Sequence, residues 1–170
     1  TGYILLIVCA ALLLFGAAGA GAVEFVQSLT VRLDPILGVL CILCLCSGPC
    51  VLSAGRGAYR RRWNQNTPMM FVLTAFCMLV WLVATYQQQS RQPELLVYLY
   101  QLMAVIAVLL SLYGMSSMSL EKGGTGTCTA GLMSIYLSLV TLADGHGLCF
   151  TLLYLFAALY LTAQMYLLLH

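Results

Sequence analysis

Charge is what this sequence has least of. Seven basic and five acidic residues make up 7% of its 170 positions, where soluble domains average about 25%. So little polar surface cannot cover a water-soluble globule. Nucleic acid is not an expected partner, because no basic face with interleaved aromatics is present. Histidine is nearly absent too, with two in the chain. There is no serine–histidine–acid set, no HExxH, no phosphate-binding glycine loop and no GxSG. The expectation is therefore a protein that is not an enzyme, with no catalytic residue, no metal site and no cofactor. The alternating pattern of a membrane β-strand is missing as well, which leaves helices as the way to satisfy backbone polar groups in lipid.

What the chain does have is long apolar runs. It is 62% hydrophobic with a mean hydropathy of +0.99. A spanning helix needs about 20 apolar residues. On that rule the sequence predicts a single all-α domain, residues 1–170, a polytopic transmembrane bundle of six spans at about 3–23, 35–54, 69–86, 95–115, 127–143 and 148–169. The first run, TGYILLIVCAALLLFGAAGAGA, has the small-residue ending of a signal peptide. It is long enough to span and is expected to stay as a helix. Pro49, after Gly48, is expected to kink the second span.

The stretch GRGAYRRRWNQNTP, residues 55–68, sets the orientation. It holds Arg56, Arg60, Arg61 and Arg62, four of the seven basic residues. A charge at the bilayer centre costs about 2.5 kcal/mol or more, and short basic loops stay on the cytoplasmic side. With this loop inside and short connections throughout, both termini are cytoplasmic. Lys122 then also lies inside, and only Arg32 and Arg91 lie outside. The expected location is a bacterial cytoplasmic membrane, multi-pass, with the lipid bilayer as first partner.

Three groups of residues invite a functional reading. The end of the first span, FGAAGAGA, spaces small residues at intervals of four: Gly16 with Ala20, and Ala18 with Ala22. Such spacing lets another helix approach closely. That helix is one of this chain, or belongs to a membrane-protein partner or a second copy. The outer ends collect Glu24, Asp34, Glu94, Asp144 and His146. Glu94, Tyr98 and Gln101 share one face of the fourth span, and could meet Asp144 and His146 across a small outward-open cavity that binds a solute. Solvated helix-end charges are the plainer alternative. Gln101 and Gln164 lie deeper, where an amide acts as interhelical glue. Trp81 and Tyr86 suit the outer interface belt. Helical period sets Thr74, Cys77, Trp81 and Thr85 on one stripe of the third span. It sets Thr127, Gly131, Ser134, Ser138 and Thr141 on one of the fifth, and His146, Phe150, Ala157, Tyr160 and Gln164 on one of the sixth. The small and polar stripe of the fifth is expected to bury that helix against its neighbours.

The cysteines form the third group. Cys41, Cys44, Cys46 and Cys50 read C-x2-C-x-C-x3-C, but helical geometry sends Cys46 and Cys50 to the side opposite Cys41 and Cys44, so four ligands do not converge. Packing as small apolar groups is the expectation, and thiol-redox chemistry at Cys41–Cys44 is the alternative.

The second half carries WLVATY from Trp81, PELLVYLYQL from Pro93, LLSLY from Leu109 and LVTLADGH from Leu139. On these segments the chain resembles a group of small six-helix membrane proteins of anaerobic Firmicutes that has no assigned activity. The resemblance implies a bacterial cytoplasmic membrane and no functional residue. In size, topology and the Ala18–Ala22 spacing the chain is also similar to the substrate-binding subunits of energy-coupling-factor transporters. That similarity implies a small membrane component which binds a partner or a solute from outside.

Overall fold

The computed structural model describes residues 2–29, 35–60, 67–89, 95–120, 125–143 and 148–169. They form six helices: α1 (Gly2–Leu29), α2 (Pro35–Tyr59), α3 (Thr67–Gln89), α4 (Leu95–Leu120), α5 (Thr125–Leu142) and α6 (Leu148–Leu169). No strand occurs among the described residues. The all-α bundle expected from the apolar runs is the observed fold.

The helices differ from expectation mainly at their ends. α1 continues past residue 23 to Leu29, which places Glu24 inside a helix instead of at its end. α2 continues past residue 54 to Tyr59 and takes in Arg56. The thickness of the hydrocarbon sets the shortest useful helix, not the longest. Beyond it, nothing in VEFVQSL breaks a helix, so hydrogen bonding carries on. α2 also passes through Pro49 as one continuous helix. Pro49 faces outward, where the ring that removes one backbone donor meets no neighbouring helix.

Side-chain contacts fix the direction of each helix. Across α1 and α2, Phe25 meets Gly38, Gly21 meets Cys41, Phe15 meets Gly48 and Ile7 meets Gly55. One number rises as the other falls, so the pair is antiparallel. Cys44–Cys77 and Ser53–Met70 give the same sense for α2 and α3. So do Gly114–Thr127 and Ser111–Ser134 for α4 and α5. α1 and α6 are antiparallel as well, through Gly16–Leu152 and Cys149 against Ala17. Each helix packs on its sequence neighbours, and α6 packs back on α1. An even number of alternating helices is what lets such a ring close with the same handedness of pairing throughout.

The ring is filled. Trp81, Tyr154, Tyr160, Phe71 and Phe156 are its largest fully buried side chains, and α6 is its most enclosed helix. Trp81 of α3 and Tyr154 of α6 meet edge to face with ring centroids 4.7 Å apart at 62°. Trp81 is thus a core residue, not a member of the outer interface belt. Its inward stripe (Thr74, Cys77, Trp81, Thr85) is buried throughout, and packing along that stripe outweighs the general preference of tryptophan for interfaces.

The outer surface is apolar on all six helices. Leu5 and Leu12 of α1, Ile42 of α2, Met69 of α3, Leu110 of α4, Met133 of α5 and Leu148 of α6 are each more than half exposed. Monomeric soluble proteins rarely show such continuous apolar surface. Five helices are long and apolar enough to cross a membrane, and 126–142 of α5 is apolar but shorter. α5 inverts the pattern of a soluble helix. Thr127, Ser134, Ser138 and Thr141 are buried while Leu132, Met133, Tyr136 and Leu139 face outward. The chain is an apolar multi-pass helical bundle built for a bilayer.

Candidate binding interior

Of the cavity expected from the sequence, Glu94, Asp144 and His146 lie outside the described residues. Tyr98 belongs to α4, and only its place in the helix is described. Gln101 is buried and faces the bundle. Of the arginines, Arg56 and Arg60 are exposed, and the Arg60 N–H donates to the Arg56 carbonyl at 3.2 Å. Arg61 and Arg62 lie outside the described residues. The small residues of α1 divide: Ala18 is buried, Ala20 half-buried, and Gly16 and Ala22 exposed. Ala17, Ala18 and Gly21 form the inward face.

Other residues toward the same ends of their helices are buried: Thr85, Trp81, Ser138, Thr141 and Tyr154. Like Gln101, each lies within about 12 Å of the C-terminal end of α3 or α5 or the N-terminal end of α4 or α6, at 1.5 Å per residue. They come from α3, α4, α5 and α6. The hydroxyls mostly turn back on their own helices, as serine and threonine in helices do. Thr85 donates to the Trp81 carbonyl at 2.9 Å, and Thr141 to the Leu137 and Ser138 carbonyls at 3.0 Å each. One turn or more further in, Ser111 donates to the Val108 carbonyl and Ser134 to the Gly131 carbonyl, each at 2.8 Å. Their two oxygens are 3.5 Å apart across α4 and α5.

Trp81 Nε1 and Ser138 Oγ are buried without a hydrogen-bond partner among the described residues. A buried polar group left unpaired costs about 1–3 kcal/mol. Trp81 and Ser138 stand on α3 and α5, two helices that are not neighbours in the ring. The sequence signal was the inward stripe of each helix, which does not show how deep its residues lie.

A second cluster lies beside α1, α2, α3 and α6. Cys41, Cys44, Cys77 and Cys149 are buried. Cys44 Sγ and Cys77 Sγ are 3.6 Å apart. Cys41 Sγ and Cys149 Sγ flank Gly21, at 2.7 and 3.0 Å from where a Cβ on it would sit. The Cys149 thiol donates to the Ala17 carbonyl at 3.3 Å. Cys46 is exposed and Cys50 half-buried, facing away as helical geometry requires. No group of three or more possible ligands that could hold a metal ion occurs among the described residues. The partner of Cys44 is Cys77, not Cys41. Hairpin register could have found it, because Cys44 lies 11 residues before the stretch 55–68 and Cys77 lies 9 after it.

No protein-family model matches this chain, and neither a characterised protein nor a solved structure matches it.

Proposed function

We propose that the chain is a non-enzymatic component of a bacterial cytoplasmic membrane that binds a small polar solute in the outer half of its interior. The carrying observation is the pair of unpaired buried donors, Trp81 Nε1 and Ser138 Oγ. Gln101 of α4 and Tyr154 of α6 are also buried. A solute that accepts from these donors would remove the cost of leaving them bare. Glu94, Asp144 and His146, at the outer ends of α4 and α6 by sequence, would stand at the mouth. The arginine stretch 55–68 then faces the cytoplasm with both termini. This is the arrangement of a substrate-binding transport subunit.

The test is native mass spectrometry on protein purified in mild detergent. The expected result is a retained small molecule, lost on Trp81→Phe and held less tightly on Ser138→Ala while the protein stays folded. A bare chain of unaltered mass, with no solute taken up from cell extract, would overturn the solute reading.

A partner on α1 is the second reading, and it rests on a different face. Gly16, Gly19 and Ala22 are exposed, and a Cβ at Gly19 would meet nothing within 4 Å. Small residues at such positions suit close approach by another membrane helix, from a partner subunit or a second copy. A co-purifying subunit or a dimer mass, lost on Gly19→Leu, would support it.

A further inference from the structure

The pair formed by Cys44 and Cys77 is unused by either reading above. Their sulfurs are in van der Waals contact at 3.6 Å, and the two residues are 1% and 0% exposed. A disulfide bond is about 2.05 Å long, so closure asks for side-chain rotation of about 1.5 Å on two adjacent helices. The Ser47 hydroxyl donates to the Cys44 carbonyl at 3.1 Å, and either sulfur of the pair can donate to the other. The other two buried thiols are disposed differently, since Cys149 is bonded to the Ala17 carbonyl. Among the described residues no group of three or more possible metal ligands forms, and the 3.6 Å contact is between two sulfurs alone.

The reagent must suit the place. Ile42 and Leu45 of α2 and Phe76 and Leu79 of α3 are exposed on the apolar outer surface. An oxidant dissolved in hydrocarbon therefore meets these two helices directly, and its contact with the buried sulfurs needs the seam between them to open.

We propose that Cys44 and Cys77 form an intramembrane dithiol which a lipid-soluble quinone oxidises to a disulfide, tying α2 to α3. One sulfur of the pair adds to a ring carbon of the quinone. The other sulfur then attacks it, so that the S–S bond forms as the C–S bond breaks. The electron pair leaves with the ring. The two thiols lose two electrons and two protons, and the quinone becomes a quinol. Each chain reacts once until a thiol reductant reopens the bond, so this is a redox state of the bundle. It does not depend on solute binding: either can fail while the other stands.

The wild-type protein tests it without any substitution. Reduced protein in mild detergent is mixed with a short-tailed benzoquinone, and the intact mass, the quinol formed and the non-reduced peptide map are followed. The expected result is one quinol per chain, the loss of two hydrogen atoms, and a cross-linked peptide joining Cys44 to Cys77 that dithiothreitol reverses. An unchanged mass overturns the proposal. So does a cross-link that joins Cys41 to Cys149 instead, or a quinone adduct confined to exposed Cys9 and Cys46.

Discussion

Ser138 is the residue whose substitution should change sign with occupancy. Its hydroxyl is buried and unpaired among the described residues, and alanine removes the hydroxyl with little change in volume. Without solute, Ser138→Ala is expected to stabilise the protein by about 1 kcal/mol, the order of cost of an unpaired buried group. With solute bound, the same change is expected to weaken affinity about fivefold, which is also about 1 kcal/mol. Thermal unfolding in detergent with and without solute reads both, and destabilisation in both conditions would sink the idea. Trp81 works through size as well as its N–H. Trp81→Ala removes the ring packed on Tyr154 at 4.7 Å and is expected to cost about 3–5 kcal/mol. Trp81→Phe keeps most of that packing and loses the donor, so it should retain the fold and lose the solute.

At the scale of the helix, Gly21 is where three elements meet. A Cβ there would sit 2.7 Å from Cys41 Sγ of α2 and 3.0 Å from Cys149 Sγ of α6. Both are short side chains with one rotatable bond to the sulfur, and Cys149 is bonded to Ala17. Gly21→Ala is therefore expected to destabilise by about 1–3 kcal/mol, the usual cost of overpacking. Gly19→Ala, facing open space on the same helix, should change stability by less than about 0.5 kcal/mol. Equal effects at the two sites in denaturation by increasing detergent harshness would contradict the packing. The inward stripes of α3, α5 and α6 were legible because helical period alone decides which residues share a side. Thr74–Cys77–Trp81–Thr85 and Thr127–Gly131–Ser134–Ser138–Thr141 are buried as that period requires. What the period leaves open is how deep a side chain goes. Trp81 fits both an interface belt and a core by period, and the neighbouring Tyr154 settles it.

For the molecule as a whole, ring closure and orientation each make a prediction. Gly16 faces Leu152, with 3.7 Å between a Cβ on the glycine and the leucine side chain. A double variant, Gly16→Cys with Leu152→Cys, should form a cross-link mapped to those two positions by peptide mass. Its absence, with both thiols present and unmodified, would argue against α6 packing on α1. Arg60 is exposed at the end of α2. A cysteine introduced by Arg60→Cys should react with a membrane-impermeant maleimide in inverted vesicles and not in intact cells. Labelling of intact cells would reverse the orientation.

The apolar runs by themselves determined that this chain is helical, how many helices the described residues form and which side of α3, α5 and α6 turns inward. Those properties follow from backbone hydrogen bonding in lipid and from the helical period, both local in the chain. The outer cavity drawn from Glu94, Tyr98, Gln101, Asp144 and His146 was only partly within reach, since Gln101 alone is described with its side chain. Tertiary packing decided the rest. It left Ser138 Oγ and Trp81 Nε1 buried without partners among the described residues, and it gave Cys44 the sulfur of Cys77 in place of Cys41. Depth and partnership depend on how helices align against one another, and that alignment is set by close fits such as Phe15 on Gly48 and Gly21 between two cysteines. Such fits are contacts between residues distant in sequence, and no local pattern specifies them.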